Sequence, residues 1–295
     1  MSAQRGVAFI VVLWLIALLA IVLGSFALLA RSEGLQARHL YDTTQARYAA
    51  EAGINRAVLA MADPDPLKRW IPDGRSYPFS FADAEIEIRI IDESGKLDIN
   101  AADVAVLEAF LNGNGLDMFE AQALAAAIVD WRDSDDLVMP NGAEDNEYKA
   151  AGLDYGPRNM LFDTLSELQQ VLGMNHELYQ SLAPSLTTHS GMSLPNAAFA
   201  PEDVLRALPG MNVDLARMLS EQRAAFDPQL GGVAPVMPDG SAIMAQGGSG
   251  TYTVRSRATL ANGAWTELDA TVRLGGVALS GLAYTVLRWQ DGEPL

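Results

Sequence analysis

Apolar and polar positions follow three patterns along the chain. From Val7 to Ala30 there is no charged residue. At about 1.5 Å per residue, a helix over this stretch spans a hydrocarbon core of roughly 30 Å. From Arg31 to Met61 there is no proline, and Ala, Leu, Arg, Gln and Glu favour helix. Leu35, Leu40, Ala46, Ala49, Ala50, Ile54 and Val58 recur near helical spacing. One continuous helix of about 55 residues, about 80 Å long, is therefore predicted, with Pro64 and Pro66 ending it. The second pattern is alternation. Ile86, Ile88 and Ile90 alternate with Glu85, Glu87 and Arg89, as in a half-buried strand. Tyr252 to Leu260 alternates again, Ala261-Asn262-Gly263 reads as a turn, Trp265 to Leu274 as a third strand and Ala283 to Trp289 as a fourth.

The third pattern fills the interval between the first strand and the rest. It is helical and contains an internal echo. Leu97-Asp98-Ile99-Asn100-Ala101-Ala102 precedes helical Val104 to Leu111. Leu194-Pro195-Asn196-Ala197-Ala198 precedes Val204 to Leu208, Pro209-Gly210 and Leu215 to Arg223. Leu165 to Leu182, with Gly173 between two helical runs, is a looser relative. Each resembles a helix-hairpin-helix unit. Residues 231–250, rich in Gly, Pro, Ser and Ala, read as a flexible loop returning the chain to the sheet.

Charge narrows the function. Twenty Lys and Arg oppose 37 Asp and Glu among 295 residues. A general nucleic-acid binder needs a basic face, so this balance argues against one. Near Leu208-Pro209-Gly210-Met211, Glu202, Asp203 and Asp214 face only Arg206 and Arg217, which disfavours DNA at that hairpin too. The chain has no cysteine, which removes disulfides, thiol nucleophiles and thiolate metal sites. His39, His176 and His189 form no zinc pattern, and no nucleophile elbow or phosphate loop occurs. Two converging carboxylates would suffice for sugar hydrolysis, an alternative that stays open in sequence.

The N-terminal apolar run is longer than the 7–15 residues of a secretory signal. Ser25-Phe26-Ala27 nonetheless has small residues at a signal-peptidase spacing, and a plain signal anchor joined to a coiled coil is a further alternative. The run Arg5-Gly6-Val7-Ala8-Phe9-Ile10-Val11-Val12-Leu13-Trp14 resembles the leader of type IV pilin-like proteins, and in particular that of the K family of type II secretion minor pseudopilins. The resemblance implies that a prepilin peptidase cuts after Gly6 and methylates Val7. Most pilins carry a glutamate at mature position five, where this chain has Val11. An intramembrane carboxylate is costly unless paired. An apolar residue suits a subunit at a fibre tip, with no neighbour above it to supply the pair, and the K family shares it.

The same resemblance implies an α+β fold: a long N-terminal helix packed on a small antiparallel sheet, with a large helical insertion. The expected division is 1–6 leader, 7–62 helix, 63–96 and 251–295 pilin-like domain, 97–230 insert and 231–250 loop. The implied role is a non-enzymatic tip subunit of the secretion pseudopilus. The chain would be anchored once in the inner membrane of a Gram-negative bacterium, with its C-terminal domain in the periplasm. Implied partners are the I and J minor pseudopilins, the prepilin peptidase and the inner-membrane secretion components. A periplasmic helix-hairpin-helix module that binds a ligand or DNA is the alternative.

The densest polar cluster is Asp130-Trp131-Arg132-Asp133-Ser134-Asp135-Asp136, followed by Asn141 to Asn146. Against an EF-hand starting at Asp133, the residues Asp133, Asp135, Asn141 and Glu144 agree, but Leu137 and Val138 occupy positions five and six, and Val138 stands where a glycine is required. The segment is not an EF-hand. The K family is associated with calcium in its insert, and by that resemblance Asp133, Asp135, Asp136, Asn141, Glu144 and Asp145 are the candidate ligands of a structural Ca2+. A solvated acidic loop is the alternative. Asp92 to Asn100 reads as a turn followed by a capped helix.

Overall fold

A computed structural model describes residues 5–226, 234–241, 243, 248–275 and 283–292. Helix α1, Arg5–Met61, is unbroken, and the chain turns away just ahead of Pro64 and Pro66. From Phe9 to Tyr41 every residue is exposed. Within it the uncharged stretch from Phe9 to Ala30 is apolar and long enough to cross a membrane. Further along, Ala46, Ala49, Ala50, Ile54, Ala57, Val58 and Met61 bury one face against a sheet. The small residues let helix and sheet approach closely. At Gly53 an added Cβ would lie 2.1 Å from Ser256 Oγ and 2.9 Å from Ile86 Cγ2.

The sheet contains β1 (Asp73–Phe81), β2 (Ala84–Asp92), β5 (Thr251–Leu260), β6 (Trp265–Leu274) and β7 (Tyr284–Asp291), in that order and antiparallel throughout. Ala84, Ile86, Ile88 and Ile90 of β2 join Val254, Ala258, Leu268, Ala270 and Val272 in the core beneath α1. Strand β1 lies outside the sequence reading, which began the sheet at Ala84. Gly74, the adjacent Arg75 and Ser76, and Pro78 spoil its alternation, and such a strand is tolerated at an edge.

Between β2 and β5 the chain builds a second apolar core. Short parallel strands β3 (Leu97–Asp98) and β4 (Leu186–Thr187) pair within it. Its helices are α2 (Val104–Gly113), α3 (Met118–Arg132), α4 (Asp145–Ala150), α5 (His176–Leu182), α6 (Glu202–Leu205) and α7 (Val213–Ala225). Three hairpins turn on Gly115, Gly173 and Gly210, with φ of 106°, 91° and 78°, values that favour glycine. Two residues after each glycine comes a cap. Asp117, Asn175 and Asn212 accept from the amides of Glu120, Leu178 and Leu215, each at 2.9 Å. Leu116, Met174 and Met211 stand between glycine and cap and pack on the core.

The echo also acquires a register. The Asp98 side chain accepts from Asn100 N, and the Asn196 side chain from Ala198 N. Arg132, ending α3, donates to the carbonyls of Ile99 and Ala102 at 2.5 and 2.6 Å. Arg223, near the end of α7, donates to those of Ala197 and Ala200 at 2.7 and 2.6 Å. Asp98 thus corresponds to Asn196, and one clamp is built twice. In the stretch read as a loop, 231–233, 242 and 244–247 lie outside the described residues. Its Met237 and Ile243 pack on the insert's core.

The turn and capped helix read at Asp92 to Asn100 take the form of a capped 3-10 turn. Asp92 caps a 3-10 turn, Glu93–Gly95, and the segment from Asp92 to Ile99 is buried at the junction of sheet and insert. Glu93 accepts from Thr187 Oγ1 at 2.5 Å and Thr253 Oγ1 at 2.6 Å, and pairs with Lys96 at 2.7 Å. Burial alone would push the Glu93 carboxyl up; attraction to Lys96 and its hydrogen bonds outweigh that and hold it below the usual range.

Candidate metal centre and anchor

Helix α3 is capped at its start by Asp117 and ends in Asp130-Trp131-Arg132. Trp131 packs its ring against Tyr148 and Phe162, at centroid distances of 6.1 and 6.0 Å, and this fixes the helix end. The chain then loops back over Asp130. That carboxylate accepts from Met139 N at 3.2 Å and Ala143 N at 2.8 Å. Gly142 is needed for this wrap, because a Cβ there would sit 2.0 Å from Asp130 Oδ2.

Carboxylates crowd around the loop. Glu144 is buried, and its Oε1 has no hydrogen-bond partner. Burial, and then the charges of Asp130, Asp133, Asp136 and Asp135, push its carboxyl up to about 7. Asp130 and Asp133 are also raised, chiefly by burial. Asp133 Oδ1 is a second buried oxygen without a partner, and Asn159 Oδ1 a third. The Asn159 amide donates to Asp136 at 2.8 Å from a backbone held at φ 54°.

The structure therefore gathers Asp133, Asp135, Asp136 and Glu144 into one field of negative charge. The remaining two candidates stand differently. Asn141 is an exposed turn residue at φ 65°. Asp145 is exposed and pairs with Lys149 at 3.0 Å. Asp130 and Asn159 belong to the cluster although neither was among the candidates. Asp130 was legible as a carboxylate beside a tryptophan on an apolar helix. Asn159 is brought in only by tertiary folding.

Oxygen donors with unsatisfied buried atoms suit a hard cation such as calcium. Among the described residues, however, no three acidic or imidazole side chains converge as a ready-made cage. The donor chemistry fits through Asp133 and Glu144. The remaining ligands would have to come from loop carbonyls, Asn159 or water.

The anchor is α1. Gly6 and Val7 lie in its first two turns, while residues 1–4 of the leader lie outside the described residues.

Residues 86–191 match the family model for type II secretion system protein K. Type II secretion system protein K of Klebsiella pneumoniae is 28% identical over 203 residues, covering 61% of each chain. That of Pectobacterium carotovorum subsp. carotovorum is 26% identical over 206 residues, covering 62% of each. The alignments thus span about three fifths of these relatives' length. In fold, the chain is similar to a subunit of the GspK-GspI-GspJ complex of enterotoxigenic Escherichia coli. The TM-score is 0.54 at 19% identity, covering 90% of this chain and 99% of that one. The chain is thus similar in sequence to type II secretion system protein K, with residues 86–191 matching that family's model, and similar in fold to a subunit of the GspK-GspI-GspJ complex.

Proposed function

We propose that this protein is a minor pseudopilin at the tip of a type II secretion pseudopilus. It would be anchored in the inner membrane by α1, carry its globular part in the periplasm, and act by assembly rather than by catalysis. One observation carries the reading. A single helix runs from a membrane-length apolar segment, without a break, onto an antiparallel sheet, and the match to the protein K family model begins in that sheet's β2 and runs on into the helical insert. In such a subunit the exposed half of α1 packs against the helices of other pseudopilins. The crystallised complex of GspK with GspI and GspJ supports I-type and J-type subunits as partners. The inner-membrane secretion components would hold the fibre base. The prepilin peptidase would cut between Gly6 and Val7. Apolar Val11 suits the top of a fibre, where no neighbour's amino terminus comes to meet a carboxylate. Mass analysis of the N-terminal peptide from native membranes tests this. A methylated chain starting at Val7 is expected; a start at Met1 or Leu28 would overturn it.

The unpartnered oxygens of Asp133 and Glu144 favour a second element, a structural calcium ion in the acidic loop. Calcium would neutralise part of the clustered charge and fix the loop. In protein freed of metal by a chelator, added calcium is expected to raise the melting temperature by several degrees, and Asp133→Asn to abolish most of that gain. Equal melting with and without calcium would leave only a solvated acidic loop.

A further inference from the structure

The two edges of the sheet are built differently. Strand β1 is guarded. It contains Pro78, which discourages further pairing; a register irregularity occurs in both edge ladders, between Asp73 and Ser76 of β1 and between Thr271 and Val272 opposite β7, and does not separate them. Its start is also covered by the insert: Arg75 donates to the carbonyls of Arg223 and Phe226 at 2.8 and 3.2 Å. Strand β7 at the opposite edge has no proline, and no strand among the described residues pairs its outer side.

The core face also runs out past α1 at β7. Paired residues of adjacent strands share a face. Ala270 and Val272 of β6 are buried beneath α1, and their partners on β7 are Trp289 and Val286. These two therefore belong to the core face, yet they stay 37% and 44% exposed. At the rim, Tyr284 Oη bonds to Asn55 at 3.2 Å and Arg47 pairs with Asp291 at 2.5 Å, so the strand is held against the flank of α1. Among the described residues, the result is a sheet whose β7 edge has no further strand paired to it and an apolar shelf beside it.

We propose that the β7 edge is an assembly surface that takes an extended segment of a neighbouring pseudopilin as a sixth strand. The backbone groups of a strand edge select an extended peptide. Trp289 and Val286 select apolar side chains at alternate positions of that segment. The inference rests on the pseudopilin reading and adds to it a specific contact besides helix packing.

The test is hydrogen–deuterium exchange of the full chain, alone and reconstituted with I-type and J-type pseudopilins of its own host. Amides in 284–291 are expected to slow at least tenfold in the complex, with those of 73–81 unchanged. Val286→Lys is expected to weaken assembly tenfold or more, while Ser80→Lys, at an exposed position on the guarded edge beside Glu85, leaves it intact. A complex that forms without protection of β7 overturns this inference and leaves the functional reading standing. Protection that rises with the protein's own concentration, without partners, overturns it in favour of self-pairing. Failure to form a complex with any pseudopilin overturns the functional reading and this inference together.

Discussion

Glu144 is a buried carboxyl whose natural charge is opposed from several sides. Its folded pKa, about 7, lies above the ordinary 4.5. A raised carboxyl adds stability below its unfolded pKa, and that stability is lost as pH rises through the folded value. Metal-free protein should therefore be less stable at pH 8 than at pH 5. A tenfold change in proton affinity corresponds to about 1.4 kcal/mol, and the open side of the loop screens part of the effect, so about 1–2 kcal/mol belongs to this group. Glu144→Gln should flatten the dependence by that amount in urea titrations with chelator present. An unchanged slope between pH 5 and pH 8 would place the titrating group elsewhere. Gly53 makes a different demand, because its missing Cβ is the space occupied by Ser256. Gly53→Ala should cost about 2 kcal/mol despite alanine's better helix propensity. Ser256→Gly in the same chain should return at least half. No recovery in this double-mutant cycle would mean that Ile86, not Ser256, sets the limit.

At the scale of elements, the paired clamps are the clearest sign that the insert was built by repetition. Each arginine closes the end of a helical hairpin onto the turn that precedes it. Burial pushes both guanidinium pKa values down, but they remain cations in place. Truncation removes two charge-assisted hydrogen bonds and leaves carbonyls without donors. Arg132→Ala and Arg223→Ala should each cost about 3 kcal/mol, and Lys should recover less than half, because an ammonium does not present the planar fork that spans two carbonyls. Urea midpoints measure this. A loss below about 0.5 kcal/mol at either site would refute the equivalence of the two clamps.

At the scale of the molecule, two apolar cores meet through a buried polar junction. Glu93 and Lys96 face Thr187 from the insert and Thr253 from β5. Removing one partner of a buried ion pair commonly costs about 3–5 kcal/mol, since the other charge is left uncompensated. Glu93→Ala should therefore lower stability by that order and uncouple insert from sheet, splitting one calorimetric transition into two. A single transition at the wild-type temperature would show that apolar contacts alone hold the two parts together. The depressed Glu93 carboxyl also gives the junction a pH limit. Its contribution is present above the usual glutamate pKa near 4.5 and is lost as pH falls through its lower folded value.

By itself the sequence determined what periodicity and composition can carry. An uncharged run followed by proline-free helix formers specifies α1, because helical hydrogen bonds are local and membrane length is a count of residues. Alternating Ile86, Ile88 and Ile90 specify β2, and Asn262-Gly263 specifies the β5–β6 turn, because these patterns repeat over a few positions. Acidic residues near one another in the chain marked the loop at Asp133. What the chain could not state locally is what lies opposite what. Strand β1 exists because β2 offers it an edge, not because its own sequence alternates. Asn159 reaches Asp136 across 23 positions, and Glu93 meets Thr253 across 160. The register of the echo emerged only when Arg132 and Arg223 were seen on matching carbonyls, since their distances from the preceding caps differ by a helical turn. Long-range packing and hydrogen bonding decided these features, and with them which edge of the sheet was left open.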